Sequence, residues 1–465
     1  MLKHKIISFA LIAVVLFLSK SLYLDDVLKL TLETQMPKNA VVRAEFKMVG
    51  KAQADSFRLT LKEGGKSRFR IYGGTPEYIK IDPADKIVSL CIVGRGKQCL
   101  ALSEKGVFSN ITVKSKSHFD FKFFVIWAFL IYGIVYTLVE RKRLYDDAVP
   151  KIKNVEFLRL LFTIGVVVAH LAPNVTVYNM GGRGVDFFFL LSGFFLMITF
   201  RPERSVYSFV QSKVIHFIPL TVLCAVFNGK IALLPANMLF LQGTGLVTPV
   251  PPQGWYLGIL FWVGLFYFYL LKIAKPKITK LIIAAMTFFS YCFIHNGGTP
   301  SIYALCIARG FAGIGAGCFL GYLYLQIKDK NVYTGIGYTV AEAIVLLFAV
   351  GVLYIKALRP ANPMNIDLAF AGLIAFFVLK RGKVSQFFEK PFWAKISACS
   401  FAIYMTHEDV LCSFVFRILE KYPALVEYHT PLVSVASVAV CYLFGLMIWK
   451  YVELPAARWL KSKLQ

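Results

Sequence analysis

One apolar stretch about a third of the way along the chain carries two ionisable side chains, Arg159 and His170, eleven positions apart. On a helix this spacing places them on nearly the same face and about 16 Å apart along the axis. Ionisable residues inside a membrane span are costly and usually mark a site or a pathway. A neutral imidazole can take a proton from a hydroxyl, and an arginine near a helix end can bind a phosphate. The alternative is an arginine that reaches the interface and a histidine at the opposite surface.

A carboxylate enters the next apolar stretch at Asp186, after a short loop that brings it near His170. We expect Asp186 to orient the imidazole or to balance its charge. Ser192 and Gly193 follow on the same stretch, and such small residues allow two helices to approach closely. Packing is therefore their expected role.

The elements that must position these residues are membrane spans. The chain has 465 residues, of which 57% are hydrophobic and 17% are charged, and this apolar share exceeds that of soluble domains. Several stretches of about 17 to 24 largely apolar residues are long enough to cross a bilayer as helices. We predict an all-α polytopic membrane protein with about ten core helices after two N-terminal spans, and a small extracytoplasmic β-rich domain.

The basic residues indicate a membrane partner and exclude nucleic acid. The formal net charge is +26, but the cations cluster at alternate ends of apolar stretches, as in positive-inside membrane proteins. Three such clusters are Arg141, Lys142 and Arg143, then Lys275, Lys277 and Lys280, then Lys380, Arg381 and Lys383. This distribution predicts a multi-pass membrane protein with both chain ends in the cytoplasm. The location that we expect for it is the bacterial inner membrane.

Composition divides the chain into five segments. We predict a signal-anchor helix over 1–22, a β-rich domain over 23–118, a second span over 119–140, a cytoplasmic linker over 141–153 and a membrane domain over 154–465. Within the β-rich segment, Cys91 and Cys99 flank a glycine-containing turn and could close a hairpin as a disulfide. This favours an oxidising compartment, the periplasm or the cell exterior, for 23–118.

Residues 184–194 read Gly-Val-Asp-Phe-Phe-Phe-Leu-Leu-Ser-Gly-Phe and follow the stretch with Arg159 and His170. This ordered pair of motifs resembles the acyltransferase-3 family of integral membrane acyltransferases, which carries Arg-x10-His in its first core helix and Gly-Val-Asp-x-Phe-Phe-x-x-Ser-Gly-Phe in its second. Later stretches also resemble the family, at 254–257, 308–313, 397–407 and 451–455. The resemblance covers 150–460 and leaves the first 140 residues unexplained.

The resemblance implies an acyl-CoA donor, with acetyl as the expected acyl group, used from the cytoplasmic side. His170 would act as the general base or as a transient acyl carrier. The catalytic set is then His170, Asp186 and Arg159, and the donor-binding set is Arg159, Lys213, His216 and Arg309. Lys213 and His216 depart from the Arg-x-x-Arg of many members, so this chain keeps one fixed cation there without two bidentate forks.

Trp255 and His407 are the residues expected at the acceptor. Each has an alternative, because Trp255 is also typical of the interfacial aromatic belt and His407 of a structural position at an outer helix region. The acceptor would be a hydroxyl of a cell-surface glycan or a lipid-linked saccharide. No bound cofactor and no metal site are expected.

The function predicted from the sequence is therefore O-acyl transfer at the membrane. The alternative is a polytopic transporter or flippase of a glycan or small anion, in which Arg159, Asp186 and Arg309 would form a substrate path. The two adjoining motifs favour the acyltransferase, and no pair of broken helices in matching halves supports the transporter.

Overall fold

The computed structural model describes residues 12–34, 40–48, 55–61, 66–72, 75–82, 87–101, 107–139, 152–171, 181–295, 302–330, 335–354, 363–422 and 424–464. It is mostly helical and has a small β region near the N-terminus. The chain forms two compact units. The N-terminal unit comprises Met1–Val139, Leu171–Val177 and Asp409–Val440, and the core unit comprises Glu140–His170, Tyr178–Glu408 and Cys441–Gln465.

The N-terminal unit contains a short helix, α1 (Lys20–Tyr23), and antiparallel strands arranged in two sheets. The strands are β1 (Leu24–Thr34), β2 (Ala40–Met48), β3 (Asp55–Leu61), β4 (Lys66–Tyr72), β5 (Pro76–Asp82), β6 (Ile87–Val93), β7 (Lys97–Ala101), β8 (Val107–Phe108) and β9 (Lys116–Phe119). One sheet has the order β4-β1-β6-β7 with β9 also paired to β1, and the other has the order β3-β2-β5-β8.

Alternating side chains explain why these segments pair as sheets. In β4, Ser67, Phe69 and Ile71 are buried while their neighbours are exposed or half-buried, which is the period-two pattern of a strand with one face on a core. Leu30 from one sheet and Ile79 from the other belong to the same fully buried cluster. The two sheets therefore share one hydrophobic core, as in a β-sandwich.

Two further features of the N-terminal unit are a disulfide and a polar network. Cys91 and Cys99 face each other in the register of β6 and β7 and form a disulfide with an Sγ–Sγ distance of 2.07 Å. A polar network contains Asp120, whose Oδ2 lies 3.2 Å from Nη1 of Arg70. Burial, and secondly the carboxylate of Glu420, raise the pKa of the nearby Tyr72 to about 12.

The described residues after Asp120 are mostly helical. The helices are α2 (Phe121–Val139), α3 (Lys153–Leu171), α4 (Gly181–Ile198), α5 (Val206–Phe227), α6 (Leu234–Met238), α7 (Trp255–Ile273), α8 (Pro276–His295), α9 (Ile302–Ile327), α10 (Ile336–Tyr354), α11 (Pro363–Leu379), α12 (Lys383–Phe388), α13 (Pro391–Ser397), α14 (Ser400–Val410), α15 (Phe416–Lys421), α16 (Ala424–Ile448) and α17 (Leu454–Leu464). Short 3₁₀ turns occur at Ile231–Leu233 and Pro252–Gly254, and π-helical segments at Leu411–Val415 and Trp449–Glu453.

Among the described residues, six helices are long and apolar enough to cross a membrane. They are Lys153–Leu171, Val206–Phe227, Pro252–Ile273, Pro276–His295, Tyr303–Ile327 and Pro431–Leu464. Shorter apolar helices occur at Phe121–Tyr132, Gly184–Ile198, Ile336–Val352 and Met364–Leu379. The chain is a multi-pass membrane protein, while the number of spans and their sidedness stay predictions.

Glycines bring α4 and α9 into close contact. A Cβ atom on Gly193 would overlap the backbone oxygen of Ile314, and one on Gly317 would overlap the backbone oxygen of Leu190. Only a residue without a side chain fits where two helix backbones approach so closely. This confirms the packing role expected for Gly193 and sets the distance between the two helices that carry Asp186 and Arg309.

Candidate active site

His170 lies at the end of α3, and its ring is held by the main chain of its own helix. Its Nδ1 is 2.9 Å from the carbonyl oxygen of Val166, one turn earlier. A carbonyl oxygen can only accept a hydrogen bond, so Nδ1 of His170 carries the hydrogen. The side chain is exposed, and among the described residues Nε2 has no hydrogen bond to a protein group.

His407, on α14, is the second ring of the site. Its Nε2 lies 3.3 Å from Nδ1 of His170, and the ring centroids are 4.8 Å apart at an interplanar angle of 70°. Its Nδ1 lies 2.7 Å from the carbonyl oxygen of Tyr404. In the neutral ring Nδ1 must therefore donate, and Nε2 can accept the Nδ1–H of His170. This arrangement leaves the lone pair of the exposed His170 on Nε2.

The surroundings of His407 are those of a structural residue. Its side chain is fully buried, and both ring nitrogens lie within hydrogen-bond distance of protein atoms. The sequence separates His170 and His407 by 237 positions. Their proximity depends on the packing of α3 beside α14, which the residue pattern does not encode.

Asp186 has a partner that the sequence did not suggest. Its Oδ1 accepts a hydrogen bond from Nε of Arg309 at 2.8 Å, and the side chains are 6% and 14% exposed respectively. The guanidinium of Arg309 also lies 5.3 Å from the ring centroid of Trp255, a distance typical of a cation–π contact. The contacts described above for Nδ1 of His170 come from Val166 and His407, and the role expected for Asp186 beside the imidazole stays a prediction.

A cluster of cations surrounds Arg159, which lies about three turns before His170 on α3. Arg159, Lys213 and His216 are close enough to interact electrostatically. Nη1 of Arg159 lies 3.1 Å from Oε1 of Glu156, and its guanidinium lies 5.4 Å from the ring of Phe195. These contacts give a partly exposed basic surface that can bind an anionic ligand.

Aromatic rings and one buried glutamate lie against Lys213 and His216 of α5. Nζ of Lys213 lies 5.6 Å from the ring of Phe209 and 5.5 Å from that of Phe217. The ring of His216 stacks on Phe401 at 4.7 Å. Its Nδ1 lies 3.8 Å from Oε1 of Glu453, the glutamate of the Glu-x-Pro stretch at 451–455.

Arg309 lies apart from these cations. Its partner Asp186 precedes Phe195 by nine positions on α4, which corresponds to about 14 Å along a helix, and Phe195 is the ring that Arg159 covers. The donor-binding set predicted from the sequence is therefore divided in space. Arg159, Lys213 and His216 lie together, and Arg309 binds Asp186 elsewhere in the core unit.

Sequence reasoning missed Gln253, which lies just before α7. Its Nε2 donates to the carbonyl oxygen of Met405 at 2.7 Å and lies 3.3 Å from that of Tyr404. The hydroxyl of Tyr404 donates back to the carbonyl of Gln253 at 3.0 Å. The sequence shows only a polar residue next to the Trp255 stretch. It does not show that this residue is buried.

No group of three or more metal-ligating side chains occurs in the part of the chain that the structure describes. The site is therefore built from two histidines, a separate cation cluster and a buried ion pair. These side chains on apolar helices define a multi-pass membrane protein with ionisable groups at two depths along α3.

Comparison with known proteins identifies the family. The model of the family described as "Acyltransferase domain" matches residues 152–462, well over half of the chain. The chain belongs to the acyltransferase-3 family and is a membrane acyltransferase. No curated protein and no solved structure matched it.

Proposed function

We propose that this protein transfers an acyl group, in the first instance acetyl, from cytoplasmic acyl-CoA to a hydroxyl of a cell-surface glycan or lipid-linked saccharide. One observation carries this proposal. His170 presents Nε2 on an exposed side chain while Val166 and His407 engage Nδ1. A general base for a hydroxyl needs an accessible lone pair on a ring of fixed orientation.

The proposed reaction uses that geometry. The acceptor hydroxyl gives its proton to Nε2 of His170 as its oxygen attacks the thioester carbonyl carbon. The tetrahedral intermediate then collapses, the carbon–sulfur bond breaks, and the departing thiolate takes the proton from the imidazolium. The products are an ester and free CoA thiol, and His170 returns to its neutral form.

The donor would bind at the cation cluster. CoA carries several phosphate charges at one end and the thioester at the other end of a long arm. Arg159, Lys213 and His216 would hold the phosphates, and α3 places His170 about 16 Å further along its axis. This separation suits a donor whose charged and reactive ends lie far apart.

Asp186, Trp255 and Arg309 would support the acceptor side of the core. The buried pair of Asp186 and Arg309 fixes α4 against α9, and Trp255 covers the guanidinium. Asp186 would then contribute to catalysis by holding the walls of the site, and Trp255 by presenting a ring to a sugar face.

The bacterial inner membrane is the proposed location, with 23–118 in the periplasm. The basic clusters at 141–143, 275–280 and 380–383 support this sidedness. Lys114 is exposed in the N-terminal unit, so a cysteine introduced there tests the topology. A membrane-impermeant thiol reagent should label Lys114→Cys in intact spheroplasts, and labelling only after lysis would overturn the assignment.

Mass analysis of cell-surface glycans tests the function itself. Glycans from the parent strain should carry ester-linked acetyl groups that disappear on gene deletion and return with the wild-type gene. A gene encoding His170→Ala should not restore them. Identical glycan masses in parent and deletion strains would count against transfer to a surface glycan.

A further inference from the structure

We infer that Gln253 is a positioning residue that acts through Tyr404 and His407 to hold the ring of His170 in its base form. This inference rests on the proposed function of His170. It assigns a role to a residue outside the motifs of the sequence analysis. It also gives His407 a positioning role in place of the acceptor contact expected from the sequence.

The first step is a reciprocal clamp between the turn at Pro252–Gly254 and α14. The side-chain amide of Gln253 donates to the carbonyl of Met405 at 2.7 Å, and the hydroxyl of Tyr404 donates to the carbonyl of Gln253 at 3.0 Å. Gln253 is 5% exposed. The amide orientation is fixed, because rotating it would place Oε1 against two carbonyl oxygens.

The second step is a shared acceptor. Nε2 of Gln253 lies 3.3 Å from the carbonyl oxygen of Tyr404, and Nδ1 of His407 lies 2.7 Å from the same oxygen. A carbonyl oxygen has two lone pairs and can receive both donors. This oxygen therefore requires the hydrogen of the neutral His407 ring to be on Nδ1, and its position sets the orientation of the ring.

The third step connects this clamp to the reacting ring. With hydrogen on Nδ1, His407 has its lone pair on Nε2, 3.3 Å from Nδ1 of His170. That lone pair and the carbonyl of Val166 both accept from Nδ1–H of His170, so the free lone pair of His170 stays on Nε2. When His170 takes the acceptor proton, the same two acceptors stabilise the imidazolium.

The environment of His407 favours positioning over acceptor contact. The side chain is fully buried, and both ring nitrogens face protein atoms. An acceptor hydroxyl would have to displace one of these partners to reach the ring. His170, by contrast, is exposed.

Gln242 provides a matched control. It is buried like Gln253, at 1% exposure, and the buried side-chain oxygen of each glutamine has no hydrogen-bond partner among the residues that the structure describes. Within the described residues, no hydrogen bond connects Gln242 to α14. Replacing either glutamine removes one buried amide. Of the two, only Gln253 contacts the carbonyl oxygens of Tyr404 and Met405, which precede His407 on α14.

The experiment uses the full-length protein in detergent, radiolabelled acetyl-CoA, and polysaccharide extracted from a strain that lacks the gene. Gln253→Leu and Gln253→Glu should each lower kcat about tenfold or more, because small displacements of catalytic groups are costly. The KM for acetyl-CoA should stay near the wild-type value. Gln242→Leu should keep kcat within about twofold, and thermal unfolding checks that every variant is folded.

A double variant tests whether Gln253 acts through His407. His407→Leu should lower kcat by about tenfold to a hundredfold and move the acidic limb of the kcat profile to lower pH, because the imidazolium loses an acceptor. Adding Gln253→Leu to His407→Leu should cause little further loss, since residues that act in series are not additive. A purely structural role of Gln253 would instead multiply the two losses.

The outcomes separate this inference from the proposed function. Parental activity in folded His170→Ala protein would overturn the proposed function itself. Loss of activity in His170→Ala, together with equal activity of Gln253→Leu and Gln242→Leu, would overturn only the inference. Multiplied losses in the double variant would also overturn it. If Gln253→Leu does not fold, the closely isosteric Gln253→Glu carries the same comparison, because a carboxylate cannot donate to the two carbonyls.

Discussion

The two ends of α3 are built in different ways. Around Arg159 the cations are partly exposed, and their neighbours are mainly aromatic rings at 5.4–5.6 Å. Around His170 a buried second histidine and main-chain carbonyls fix the ring through contacts of 2.7–3.3 Å. One end can adapt to a charged ligand, whereas the other holds a ring in one orientation.

This difference matches the two tasks that acyl transfer requires. Binding a polyphosphate tolerates movement, because charge attraction varies slowly with distance. Proton transfer depends on hydrogen-bond distance and on the tautomer, so it needs a rigid base. Changes at the His170 side should therefore affect turnover or folding, and changes at the Arg159 side should affect affinity for the donor.

The largest expected effect is on folding and concerns the buried pair of Asp186 and Arg309. Asp186→Ala leaves a buried cation without its carboxylate and should destabilise the protein by about 3 to 5 kcal/mol. Asp329→Ala is the control, because Asp329 is 86% exposed in its pair with Lys328 and exposed pairs contribute little. Thermal unfolding in detergent measures both.

A double replacement distinguishes pairing from other causes. Asp186→Leu combined with Arg309→Met should recover much of the stability that either single change removes. Equal stability of Asp186→Ala and Asp329→Ala would show that the ion pair does not support the core unit.

The next effect is on turnover and concerns His170. His170→Ala should lower kcat by about a hundredfold or more, which corresponds to about 2.7 kcal/mol, while the KM for acetyl-CoA changes little. His295→Ala, at the exposed end of α8, is the matched control and should keep the parental rate. Wild-type turnover in folded His170→Ala protein would contradict the role of His170 as a rigidly held base.

A smaller effect is expected at Arg159. Arg159→Lys keeps the charge but loses the planar fork, so the KM for acetyl-CoA should rise about tenfold with kcat nearly unchanged. Arg95→Lys, at an exposed turn of the N-terminal unit, should leave both constants unaltered. Steady-state kinetics with varied acetyl-CoA decide the matter, and a fall in kcat alone would contradict a donor-binding role.

The smallest effect at neutral pH concerns the N-terminal unit. The pKa of Tyr72 is raised by burial from 10.0 to about 12, so the folded unit favours the protonated phenol. The contribution of this pKa shift to the free energy of unfolding is fully present below about pH 10. It is lost as the pH rises from about 10 to about 12. Thermal unfolding should show this loss, and Tyr72→Phe should weaken its dependence on pH. An identical alkaline profile in Tyr72→Phe would assign the loss to other groups.

The sequence by itself determined the membrane class, the helical core and the shared axis of Arg159 and His170. These properties are local, because a helix fixes the direction of side chains eleven positions apart and a long apolar stretch requires a membrane or a core. The alternation in segments such as β4 likewise predicted a β-rich region.

Only the tertiary structure decided which distant residues meet. His407 lies 237 positions from His170, and Gln253 joins the site through carbonyl oxygens, which every residue carries and no sequence pattern marks. Arg309 resembled a donor ligand in sequence, but the close packing of α9 on α4 places it against Asp186. Such contacts follow from how helices approach one another, and that depends on packing along both surfaces rather than on the local pattern of either.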